Sequence, residues 1–134
     1  MSLLICFGCQ KKECDTGYTG DRCDEPIVDL FTGSYVATDS GISSVYPITI
    51  SSIGAIENQE VMLSNLRENY NPTLPGNLYA KVNESGQLFG TSYGKYTGII
   101  KNLVLTWKND TLIGAYEFDS NGLTLTSKLI LTRQ

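Results

Sequence analysis

The stretch Leu103–Phe118, LVLTWKNDTLIGAYEF, decides the fold class of this chain. Apolar side chains recur at about every second position on both sides of Asn109-Asp110, a pair with the composition of a turn. A strand presents successive side chains to opposite faces, so this pattern is typical of strands with one buried face. The stretch therefore predicts two antiparallel strands joined by a short turn.

Similar runs recur along the chain after Pro26, and turn residues separate them. They are Phe31–Thr38, Val45–Ile50, Leu78–Val82, Gln87–Gly90 and Leu123–Leu129. The segment Gln59–Leu66 matches helical as well as strand spacing, and its context favours a strand. Pro47 indicates an edge position or a bulge, because proline cannot donate to a strand ladder.

About eight short strands with no helical crossover predict an antiparallel meander. Such a sheet either packs on itself as a sandwich or closes into a barrel, and closure removes the exposed edges. We expect an all-β fold: a small up-and-down barrel with a short segment before it.

The composition limits the possible functions. The chain has 134 residues, enough for one domain and a short appendage, and 41% of them are hydrophobic. A net charge of −4 argues against a nucleic-acid partner, which would need clustered lysine and arginine. The sequence has no histidine, the commonest general base and metal ligand. We therefore predict no metal site and no cofactor.

The first nine residues, MSLLICFGC, resemble the end of a bacterial lipoprotein signal. In such signals a small residue precedes the cysteine that is acylated, and Gly8 and Cys9 occupy these two positions. Cys6 departs from the pattern, which prefers leucine there. The alternative is that residues 3–7 form an N-terminal strand. The segment is too short to span a bilayer as a helix, which takes about 20 apolar residues.

The spacing Cys14-x2-Gly17-Tyr18-x-Gly20-x2-Cys23 resembles the last disulfide loop of an EGF-like module. The resemblance implies a Cys14–Cys23 disulfide, which would contribute roughly 2–3 kcal/mol and indicates an oxidising compartment. The other loops of such a module are missing, so none of its functions is carried over. Zinc or redox chemistry at Cys6-x2-Cys9 is the weaker alternative, because a second ligand pair and a βαβ setting are both lacking.

Most of the chain resembles the lipocalin-like lipoproteins of Gram-negative bacteria. Their barrels open with a Gly-x-aromatic strand, matched here by Gly33-Ser34-Tyr35, with tyrosine where true lipocalins carry tryptophan. The resemblance implies a signal segment over 1–9, a spacer with the EGF-like loop over 10–25 and a barrel over 26–134. It also implies membrane attachment through a lipid on Cys9, at the outer membrane or the cell surface, with a periplasm-facing position as an alternative. It does not imply a ligand.

Catalytic chemistry has little support in the sequence. Nucleophilic catalysis needs an activated serine or cysteine with a base, and the sequence has neither histidine nor a Gly-x-Ser-x-Gly elbow. A glycan-acting hydrolase would need two converging carboxylates. Two pairs are close in sequence, Glu57 with Glu60 and Glu117 with Asp119, and solvated strand faces or turn ends explain both. We therefore expect no enzyme.

Several aromatic residues fall on the predicted strands. At a barrel opening they would suit a sugar or a small hydrophobic ligand, and the candidates are Tyr35, Tyr79, Trp107 and Tyr116. The alternative is that they pack in the core and at its rim. The sequence predicts an exported, lipid-anchored barrel with a non-catalytic binding or structural role. The alternative function is a lipocalin-like carrier of a small hydrophobic molecule, or an inhibitor-type barrel.

Overall fold

The computed structural model of the chain describes residues 14–68, 77–94, 100–120 and 122–134. The predicted signal segment 1–9, with Cys9, lies outside the described residues, as do residues 10–13, 69–76, 95–99 and 121.

Ten strands and three short 3-10 helices make up the described part of the chain. The strands are β1 Tyr18–Thr19, β2 Glu25–Pro26, β3 Gly33–Asp39, β4 Tyr46–Ile53, β5 Glu60–Ser64, β6 Asn77–Val82, β7 Gln87–Gly94, β8 Ile100–Lys108, β9 Thr111–Ser120 and β10 Leu123–Arg133. The 3-10 helices cover Ile27–Leu30, Ile56–Asn58 and Leu66–Glu68.

Eight of the described strands, β3 to β10, form a closed antiparallel barrel in chain order. The last strand closes it: Leu129–Arg133 of β10 pairs with Tyr35–Asp39 of β3. This confirms the predicted small up-and-down barrel. The ambiguous segment Gln59–Leu66 contains strand β5, as its context favoured.

The stretch Leu103–Phe118 forms the hairpin that its alternation predicts, with Trp107 opposite Leu112. Asn109 and Asp110 have positive φ angles of 52° and 67°. This is the pattern of a two-residue type I′ turn, whose twist matches that of the flanking strands, and asparagine and aspartate tolerate it well.

Pro47 lies where β4 is paired on one side only, so the expected edge position is confirmed locally, and no register shift and hence no bulge occurs there. Pro47 is the second residue of β4, opposite Val36 of β3. The pairing of β4 with β5 begins only at Thr49, and the carbonyl of Pro47 accepts a side-chain hydrogen bond from Asn65, 2.7 Å away. Proline is tolerated because its missing N–H faces the side where the ladder has not yet begun.

The barrel has two ends, which we call the helix end and the Asp39 end. The helix end carries the 3-10 helix Ile27–Leu30, which precedes β3, and the turn at Asn109-Asp110. The Asp39 end is where β3 ends and β4 begins. Between the ends, one face of each strand is buried in an apolar core, whose largest members are Tyr35, Tyr46, Tyr116, Phe31, Ile48, Ile50, Leu63, Leu66, Leu88, Leu103 and Leu105.

The predicted disulfide between Cys14 and Cys23 is confirmed, with their Cα atoms 5.1 Å apart. Its loop lies against the helix end of the barrel. The carbonyl of Gly17 accepts a hydrogen bond from the Ile27 amide at 2.8 Å. A Cβ at Gly17 would lie 2.6 Å from the carbonyl oxygen of Ile56, and its φ is +93°, so only glycine fits this contact.

Candidate functional site

The four aromatic residues predicted to hold a ligand do not come together. Tyr35 and Trp107 are neighbours at the helix end, with ring centroids 6.3 Å apart. Tyr116 is buried towards the Asp39 end. Tyr79 is half-buried on the outer side of β6, since its neighbours Leu78 and Ala80 face the core.

Arg133 organises the helix end. Its Nη2 donates to the Tyr35 hydroxyl and to the Leu30 carbonyl, each at 2.7 Å. The Tyr35 hydroxyl in turn donates to the Phe31 carbonyl at 2.6 Å. The guanidinium carbon lies 5.1 Å from the centroid of the Trp107 ring, within range of a cation–π interaction. These contacts tie the 3-10 helix to the first and last strands of the barrel.

A second polar cluster, the Asp39 cluster, lies at the other end and consists of Asp39, Tyr46, Arg67, Tyr116 and Ser127. Asp39 is 3% exposed. Its Oδ2 accepts hydrogen bonds from the hydroxyls of Tyr46 at 2.7 Å and Tyr116 at 2.5 Å. Its Oδ1 accepts from the Gly41 amide at 2.8 Å, so both carboxylate oxygens are bonded.

Arg67 enters the cluster from the connection between β5 and β6. Its Nη1 donates to the Tyr116 hydroxyl at 2.9 Å and to Ser127 Oγ at 3.2 Å, and its backbone N–H donates to the Tyr46 hydroxyl at 3.1 Å. The guanidinium carbon lies 4.1 Å from the centroid of the Phe118 ring. The Tyr116 hydroxyl therefore links the carboxylate of Asp39 to the guanidinium of Arg67.

Burial sets the ionisation of the two tyrosines of this cluster. Loss of water raises the pKa of Tyr46 and of Tyr116, and the hydrogen bond that each donates to the Asp39 carboxylate raises it further. Both hydroxyls therefore keep their protons at neutral pH and serve as donors to Asp39. A buried charge costs several kcal/mol unless it is paired or hydrogen-bonded. The cluster meets this requirement for its two charges and fixes four strands and one connection relative to one another.

Of this cluster, only Tyr116 was predicted from the sequence as a candidate site residue. Strand parity was the available signal. Asp39 follows Tyr35 and Ala37 at every second position, and all three are buried. Ser127 and Arg133 likewise share the parity of the buried Leu129 and Leu131. Arg67 lies in an irregular connection, where no such periodicity applies.

The carboxylate pairs considered for hydrolysis lie in different parts of the barrel. Glu117 accepts a hydrogen bond from Asn102 at 2.8 Å, and Asp119 forms an ion pair with Lys101 at 3.2 Å, both on the outer side. Glu57 belongs to the exposed 3-10 helix that leads into β5 at the helix end, and Glu60 is the first residue of β5. In the described ranges, no group of three or more potential ligands is placed to hold a metal ion.

Comparison of the chain with protein families, curated proteins and solved structures finds no match. None of the helices in the part of the chain that the structure describes is long and apolar enough to cross a membrane.

Proposed function

We propose that this chain is a non-catalytic barrel of the bacterial cell envelope, carried on a lipid attached to Cys9, with a binding or structural role. The observation that supports a non-catalytic role is that the polar side chains at the two ends of the barrel are bonded to one another and to the backbone. The tyrosine hydroxyls of the Asp39 cluster are directed at Asp39, and Arg133 is directed at Tyr35 and Leu30. These groups hold the ends of the barrel together.

A lipid on Cys9 would attach the barrel by its helix end. Four residues lie between Cys9 and Cys14, and the five extended steps from one cysteine to the other reach about 17 Å. The disulfide loop lies on the helix end, against Ile56. In this arrangement the helix end faces the membrane, and the Asp39 end faces away from it towards partners.

Replacement of the acylation site tests the anchor. We expect Cys9→Ser to move the protein from the membrane fraction to the soluble fraction and to stop incorporation of a labelled fatty acid. The matched control is Cys6→Ser, which leaves Cys9 in place. A Cys9→Ser protein that stays in the membrane fraction would end the lipoprotein proposal.

Capture of a small hydrophobic molecule is the second candidate. Eight-stranded barrels with apolar inner faces hold single small ligands in lipocalins, and the inward faces here are apolar outside the Asp39 cluster. A screen of small hydrophobic compounds and sugars by thermal shift tests this role, because a ligand that binds the folded state raises the melting temperature. Trp107, the only tryptophan, reports binding near the helix end by its fluorescence. A screen without a concentration-dependent shift would count against the carrier.

A further inference from the structure

The β9–β10 hairpin extends beyond the strand that closes the barrel. Pairing of β10 with β3 covers Leu129–Arg133, and Ser40 extends it by one residue to Lys128. The Ser40 amide donates to the Lys128 carbonyl at 2.9 Å, and Ser40 Oγ accepts from the Lys128 amide at 2.8 Å. Pairing with β9 continues to Leu123, opposite Ser120. Residues 123–127 therefore have β9 on one side and no strand of the described chain on the other.

Strand geometry shows which backbone groups this open edge presents. The N–H and C=O of one residue point to the same side of a strand, and the side alternates along the chain. The N–H and C=O of Lys128 point towards β3. Those of Thr126 and Thr124 therefore point to the same side of β10, beyond the end of β3. Among the described residues, no backbone hydrogen bond of Thr124 or Thr126 on this side is found. Two donors and two acceptors are thus available.

The side chains of the open edge are also unusual for an exposed strand. Leu123 is 66% exposed and Leu125 is 48% exposed, and both have the parity of the buried Ser127 and Leu129. Natural proteins protect edges with charged residues, prolines, bulges or a covering element. The run Leu123–Ser127 contains no charge and no proline. This edge has the features of a strand that is completed by another chain.

We propose that residues 123–127 of β10 form a strand-addition site for an extended segment of another polypeptide, with apolar side chains at alternate positions. Its backbone would bond to Thr124 and Thr126, and its apolar side chains would pack beside Leu123 and Leu125. A second copy of this barrel fits less well. A stable interface buries about 800 Å² per partner, more than a five-residue edge offers, whereas an extended segment can bind through the strand's backbone groups. The proposal is independent of the lipid anchor.

Selection from a random decapeptide phage library, with the full chain immobilised, tests the site. We expect enriched peptides with aliphatic residues at alternate positions. Thr126→Pro removes the N–H that faces the open side and leaves the ladder with β9 intact, so we expect it to weaken the binding of a selected peptide by tenfold or more. Leu125→Lys should weaken binding to a similar extent.

Val104→Lys is the matched control, since Val104 is 47% exposed on the outer side of β8. Its affinity for the selected peptide should stay within twofold of that of the original chain. Circular dichroism and the melting temperature verify that each variant is folded. The proposal is overturned by a library that yields no alternating peptide, or by peptides that bind Thr126→Pro unchanged. A concentration-dependent dimer that Thr126→Pro abolishes would also overturn it and would assign the edge to a second copy.

Discussion

Tyr116 connects the two charges at the Asp39 end of the barrel, and it does so with a single hydroxyl. The hydroxyl donates to Asp39 and accepts from Arg67. The residue is 1% exposed, so water cannot replace either bond. At this scale, the stability of the barrel depends on a few polar atoms in an apolar setting.

We expect Tyr116→Phe to lower the free energy of unfolding by about 1–3 kcal/mol, because Asp39 and Arg67 each lose a partner in a buried site. Urea denaturation at pH 7 measures the change. Tyr18→Phe is the control, since the Tyr18 hydroxyl forms no hydrogen bond within the described residues, and its effect should stay below about 0.5 kcal/mol. Equal effects of the two substitutions would contradict the role of the cluster.

The buried tyrosines also predict a dependence on alkaline pH. Burial raises the pKa of Tyr35, Tyr46 and Tyr116 above the ordinary value of about 10. Because the folded state keeps these protons more tightly than the unfolded state, their stabilising effect is complete below pH 10 and is lost as the pH rises through the folded-state pKa.

Each such tyrosine lowers the free energy of unfolding by up to about 1.4 kcal/mol per pH unit above pH 10. Urea denaturation at pH 8, 10 and 11 measures the slope, and we expect Tyr46→Phe to reduce it by up to that amount. A slope that Tyr46→Phe leaves unchanged would count against a neutral, buried Tyr46.

At the scale of elements, the hairpin of β8 and β9 shows where local pattern and tertiary contact agree. Its alternation and its Asn109-Asp110 turn are readable in sequence, and both form as predicted. The β-bulge of this hairpin cannot be predicted from the sequence. It is a shift in the register between β9 and β8, between Ala115 and Glu117, next to Gly114. At Gly114 a Cβ would lie 1.8 Å from the Val104 carbonyl oxygen, so the two backbones approach more closely than a side chain allows.

We therefore expect Gly114→Ala to destabilise the barrel by about 3 kcal/mol, at the upper end of the range for overpacking. Thermal unfolding followed by circular dichroism measures the loss. Thr106→Ala, at an exposed position opposite Ile113, is the control and should shift the melting temperature by no more than a few degrees. A Gly114→Ala protein as stable as the control would contradict the close approach.

At the scale of the whole molecule, the disulfide loop and the barrel form one unit. The loop contacts the 3-10 helix before β3 through Ile27, and it contacts the β4–β5 connection through Ile56. We expect the double substitution Cys14→Ser and Cys23→Ser to lower the free energy of unfolding by about 2–3 kcal/mol, the value for a short disulfide loop. Denaturation of the original chain with and without a reducing agent should show the same difference, and a difference near zero would contradict it.

The sequence by itself determined the strands and their antiparallel order, because alternation and turn residues are local properties. It left a sandwich open beside the barrel, and the pairing of β10 with β3 decided for closure. The resemblance of the Cys14–Cys23 spacing to an EGF-like loop also led to the correct disulfide. The partners of Asp39, which is bonded by Tyr46 and by the more distant Tyr116, were decided by the tertiary structure. So was the open edge of β10, which exists because β3 ends at Asp39 while β9 continues. Register and strand length across a closed barrel are set by packing between distant segments, so neither can be read from a single run of residues.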